Sequence, residues 1–213
     1  MRAFGLILVL LIAAFARPAD SADVREFEYR GLKLGMSIED AIRVVGGELT
    51  EKRDEQFEIP LEYELRKFIG SYGDADSDNW SLTFDRDGHL MDIYNSQDFP
   101  GTLSHKKLAQ RFIQKFGVPH EASTPVNEMT DNIEEFVLYW ILPGCGQSCA
   151  YMSVNVDVSS RSHTDTRLKT DVTVAVKDVE RKIRNKEENK KMIQKLEDNE
   201  MQRKKHLEDE VKM

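Results

Sequence analysis

Residues 80–95 constrain the fold more than any other stretch, because they carry a turn and two flanks that must meet. Asp87-Gly88 is the dipeptide of a type I′ turn, whose two central residues both need positive φ. With that pair as the loop, Phe84 faces Met91 and Leu82 faces Ile93. Both pairs fall on one face and give the hairpin an apolar side.

Other segments show the same period of two. Ile59, Leu61, Tyr63 and Leu65 alternate with Glu62, Glu64 and Arg66, and Pro60 suits a strand start. Met152, Val154, Val156 and Val158 alternate with polar residues, as do Val172, Val174 and Val176. Residues 136–142 are nearly all apolar and read as a central strand.

Two segments carry helical spacing instead. Ser37, with an acid three residues on, opens a helix through Ile38, Ala41, Ile42 and Val45 that Gly46-Gly47 stops. Ser104 opens a second, with Leu108, Ala109, Phe112, Ile113 and Phe116 on one side, ended by Gly117 and barred from continuing by Pro119. The order helix-then-strands occurs twice. The expected class is α+β: tandem helix-plus-antiparallel-meander units, the first over residues 23–100 and the second over 101–177. Residues 178–213 form a charged tail free of glycine and proline, read as a long, solvated helix that frays at its end. Its apolar positions keep a heptad only briefly, so a coiled coil is a secondary reading.

Residues 1–22 have the three parts of a secretory signal: Arg2, an apolar run, and small residues. The run is too short for a spanning helix, so cleavage is expected after Ala16 or Ala22, with no stable membrane insertion afterwards. The expected location is periplasmic or secreted. There Cys145 and Cys149, an even and close pair, are expected to form a disulfide; thiol–disulfide redox chemistry is the alternative. A net charge of −8 argues against nucleic acid as a partner.

The stretch Gly31-Leu32-Lys33-Leu34-Gly35-Met36-Ser37-Ile38-Glu39-Asp40-Ala41 resembles the motif that opens the first helix in the small outer-membrane protein A family, and Phe116-Gly117-Val118-Pro119 resembles the Gly-x-Pro helix exit of such proteins. The resemblance implies helices against an antiparallel sheet. The β-lactamase-inhibitor-protein fold is similar, two such units in tandem, and binds enzymes through its sheet. No cysteine follows the apolar run, unlike the family's lipoproteins, and no functional residue is carried over.

Candidate chemistry is sparse. Asp74, Asp76, Asp78 and Asp85 resemble a calcium loop, with acids at alternating positions around a hard cation. The five histidines lie far apart, and no nucleophile is seen beside an orienting base. No cofactor is implied. Trp80, Tyr139, Trp140 and Tyr151 fall in expected strands, where any that face outward would anchor a partner. The expectation is a non-enzymatic α/β protein of a bacterial cell envelope that binds another envelope or secreted protein through its sheet face. A calcium- or small-ligand-binding module is the alternative.

Overall fold

The computed structural model describes residues 23–70, 77–124, 135–160 and 168–211. A 3₁₀ turn at Val24–Glu26 leads to helix α1 (Ile38–Val45) and strands β1 (Glu48–Arg53), β2 (Pro60–Ile69), β3 (Asp78–Asp85) and β4 (Leu90–Pro100). Helix α2 (His105–Phe116) then precedes β5 (Glu121–Ala122), β6 (Glu135–Leu142), β7 (Gly146–Ser160) and β8 (Leu168–Asp178), and helix α3 (Val179–Val211) closes the chain. The protein is of the α+β class. Its eight strands form one antiparallel sheet in the order β1-β2-β3-β4-β8-β7-β6-β5.

That order reads inward from each edge as a four-strand meander. The two meanders meet at β4 and β8, whose register runs from Asp92↔Lys177 to Pro100↔Lys169. Each unit is thus a helix followed by four strands, and the units share a sheet rather than forming two.

Local chemistry sets the helix bounds as the spacing implies. The Ser37 hydroxyl accepts from the Asp40 amide and the Ser104 hydroxyl from the Lys107 amide, each satisfying an orphan donor. Gly46 and Gly117 end the two helices. One face of the sheet packs beneath them. Leu65, Leu82, Ile93, Val176, Met152 and Trp140 form a continuous cross-strand row on that face, and all are buried. Ala41, Val45, Ala109 and Phe116 belong to the same core cluster. The sheet's edges resist further pairing: β1 is exposed along its length and mostly charged, and β5 has two residues.

Three expectations are corrected. The hairpin turn is longer than two residues. The Gly88 amide donates to the Asp85 carbonyl, and the Asp85 amide to the His89 carbonyl. This is a three-residue loop whose last residue, Gly88, has φ 81°, a conformation that favours glycine. Leu82 does face Ile93, but a bulge sets Phe84 opposite Leu90 rather than Met91. The cause is Asp85, whose carboxylate accepts from the Asp87 and His89 amides and closes the wider loop.

Residues 136–142 are not a central strand. They lie in β6, beside the two-residue β5 at the sheet edge. The run looks continuous because both of its faces are apolar: Phe136, Leu138 and Trp140 point into the core, while Val137, Tyr139 and Ile141 are half-buried on the other face.

The charged tail is not simply solvated. Helix α3 crosses the end of the sheet where β8 and β3 finish and β4 and β2 begin. Arg181 pairs with Asp85 at 2.9 Å and Lys182 pairs with Asp92. Asn185 and Asn189, both buried, donate to the Leu61 carbonyl at 3.1 and 2.9 Å. Gln56 reaches Glu200, and residues 201–210 beyond it are exposed.

Candidate functional site

The second face of the sheet follows from the register. Residues between the buried positions form cross-strand rows of their own. One runs Arg66, Ser81, Tyr94, Ala175, Ser153, Tyr139; another runs Phe68, Asn79, Ser96, Thr173, Asn155, Val137; a third runs Glu64, Thr83, Asp92, Lys177, Tyr151, Ile141. Helix α3 meets the sheet at one end, where it engages Asp85, Asp92 and the Leu61 carbonyl. Tyr94 is 43 % exposed and Phe68 68 %. Tyr139 and Tyr151 are half-buried, and the Lys177 ammonium lies 5.8 Å from the Tyr151 ring centre. The face therefore presents tyrosines among Ser, Thr and Asn on a rigid hydrogen-bonded platform.

The four aromatic residues singled out from the sequence divide between the faces. Trp80 and Trp140 are in the core. Trp80 packs against Tyr29 at 5.9 Å, and Trp140 donates from Nε1 to the Gly117 carbonyl at 3.0 Å, pinning the end of α2 to β6. Neither can anchor a partner, because the helices cover their side of the sheet. Tyr139 and Tyr151 lie on the open face. Tyr94 was missed, although its place next to inward-facing Ile93 is the alternation that signals it.

The calcium loop does not assemble around Asp85. Asp78 and Asp85 sit at opposite ends of β3, about 23 Å apart at the usual rise of a strand. Asp78 is engaged by the Arg30 guanidinium at 3.0 and 3.1 Å and by Asn95 at 2.7 Å. Asp74 and Asp76 lie outside the described residues, as do residues 1–22, where a secretory signal is expected.

Cys145 and Cys149 are bonded across the turn between β6 and β7, with Cα atoms 5.8 Å apart, inside the range for a disulfide. Glu180, in the first turn of α3, is 3.9 Å from the Cys145 sulfur and also pairs with Arg25. Of the five histidines, His163 lies outside the described residues. The remaining histidines are dispersed: His89 is 3.5 Å from Asp85, His120 accepts from the Ile141 amide, His206 is near Glu210, and His105 is buried against Phe136.

The far end of the open face carries acids. Asp98, Asp171 and Asp157 stand directly opposite one another on β4, β8 and β7. Lys169 and Ser77 satisfy buried Asp98 at 2.9 and 2.8 Å. Burial, and then the neighbouring Asp98, push the Asp171 carboxyl above its ordinary range, while Thr173 donates to it and opposes the shift.

No protein-family model, curated protein or solved structure matches this chain. Among the described residues no helix is long and apolar enough to cross a membrane.

Proposed function

We propose that this is an exported, non-enzymatic protein of a bacterial cell envelope that binds another envelope or secreted protein through the open face of its sheet. The carrying observation is the placement of Tyr94, Tyr139 and Tyr151 on that face among Ser81, Ser96, Ser153, Asn155 and Thr173. Tyrosine supplies a large, stiff, amphipathic contact at low entropic cost, and small hydroxyl and amide side chains adapt around it; protein-recognition surfaces use this mixture. The strands hold the tyrosines in register, so a partner meets a preorganised surface. Export rests on the signal-like residues 1–22, with which the cysteine pair is compatible.

The test is site-specific photo-crosslinking in the native envelope, with the crosslinker at position 94, 139 or 151 on the open face, or at 43 or 107 on the helices. One species captured from the face positions and absent from the helix positions supports the reading. Capture of that species from the helices alone refutes it.

A thiol–disulfide role is the second reading, favoured by the Glu180 carboxylate near the Cys145 sulfur and by the exposed start of β7 between the two cysteines, although Cys149 itself is buried. A reduction potential below about −300 mV, typical of structural disulfides, counts against it.

A further inference from the structure

We infer that the cavity between α2 and the β4–β8 seam binds a small amphipathic monocarboxylate, its apolar body inside and its carboxylate at Arg111 and Lys115. The cavity has a volume of about 240 Å³. It lies on the helix-covered side of the sheet, where the two units meet. Phe99 and Val172 form its floor from the two seam strands, and Leu108, Phe112 and Phe116 form its wall from α2. Sites at such junctions, mostly apolar with a few placed polar groups, are where proteins hold small ligands. The volume is below the usual 300–1,000 Å³, which limits the apolar body to a single ring or a short chain.

Charge selects the head group. In a chain of net charge −8, residues 99–120 contain no acid and four cations: Lys106, Lys107, Arg111 and Lys115. Arg111 and Lys115 line the cavity, and neither has an acidic partner among the described residues. The Gln97 side-chain amide also lines it and has no hydrogen-bond partner among those residues, leaving a polar anchor free within.

The opposite rim is fixed in place. Tyr29-Arg30-Gly31-Leu32 is a tight turn with Arg30 at φ 51° and Gly31 at φ 86°. A non-glycine residue in that conformation is held there by its surroundings. Here the Arg30 guanidinium is gripped by Asp78 and lies 4.9 Å from the Trp80 ring centre. Tyr29 donates to buried Asn95 at 2.8 Å, and burial pushes its phenol up to about 12. The rim thus stays neutral, its arginine already paired, while the α2 side supplies positive charge with no acidic partner among the described residues, Lys115 resting on the Phe116 ring.

The experiment titrates the chain from residue 23 to its end with octanoate, octanol and octylammonium by calorimetry, and follows Trp80, which packs on Tyr29, by fluorescence. Expected are one saturable octanoate site and at least tenfold weaker octanol binding, with no octylammonium binding. Arg111→Glu/Lys115→Glu, at exposed positions, weakens octanoate at least tenfold at unchanged melting temperature. Leu108→Trp, which fills the cavity, abolishes binding. No octanoate binding at millimolar concentration, equal binding of all three probes, or full octanoate affinity in both variants overturns the inference. So does binding to phosphatidylglycerol vesicles with none to free octanoate, which would make α2 a membrane-facing basic surface instead.

Discussion

The two faces of this sheet are built from the same strands and hold their helices by different means. On the inner face, α1 and α2 dock by apolar contact: Ala41, Val45, Ala109 and Phe116 meet a sheet surface of Leu, Ile, Val and Trp. On the outer face, α3 docks by polar pins: two asparagines on one carbonyl and two cations on Asp85 and Asp92. Non-directional packing tolerates approximate placement, while hydrogen bonds demand particular positions. The inner face therefore carries the stability. The outer face can keep an open surface because its helix needs only one end of it.

The largest effect expected from that contrast is in the inner row. Leu82→Ala or Ile93→Ala removes a fully buried side chain and should cost about 2–5 kcal/mol in denaturant unfolding. A loss under about 1 kcal/mol would break the claim that this face holds the fold.

Next come the pins of α3. Asn185→Ala/Asn189→Ala deprives the Leu61 carbonyl of both side-chain donors and should cost about 1–3 kcal/mol. Amide exchange should quicken in α3 while α1 and α2 stay protected. Uniform loss of protection would show that the two faces unfold as one unit.

A flaw within the inner face sharpens the comparison. His105 is buried, and neither ring nitrogen has a hydrogen-bond partner among the described residues. Burial of an unpartnered polar group is costly. His105→Leu should therefore raise stability, by about 1 kcal/mol. Destabilisation would reveal a partner for the imidazole.

The outer face has its own strained spot. The Asp171 carboxyl is raised by burial and by Asp98 opposite. A carboxyl so raised favours folding when protonated; that contribution is full below its unfolded value and lost as pH rises through the folded value. Asp171→Asn should stabilise by about 0.5–1 kcal/mol at pH 7, the scale of cross-strand charge pairs. The gain should vanish at acid pH, below the unfolded carboxyl value of about 3.9. An equal gain at both pH values would point to packing rather than charge.

What the sequence showed of this arrangement was what lies within one element. Ser37 and Ser104 announce their helices because a cap acts over three residues, and alternating residues announce strands because side chains alternate by geometry. The turn at Asp87-Gly88 was legible as a turn but not in length, since Asp85 closes it through its side chain. The joining of β4 to β8 pairs Asp92 with Lys177, a contact no local pattern encodes. The docking of α3 was hidden for a related reason: Asn185 and Asn189 look like any polar residues in a charged helix until Leu61 is beside them. The faces were only half legible. Alternation separates Trp80 from Ser81 and Trp140 from Tyr139, yet it does not tell which set the helices cover. The basic stretch at 99–120 was readable as charge, but its meaning depends on the cavity behind it.

In the proposed function, the open-face tyrosines bind a partner without supporting the fold. The most direct measurement is the affinity of Tyr94→Ser/Tyr139→Ser/Tyr151→Ser for the partner captured from those positions, set beside its melting temperature. Expected is at least a hundredfold loss of affinity, as when anchoring aromatic residues are removed, with melting changed by no more than a few degrees. Unchanged affinity, or a variant that no longer folds, would contradict it.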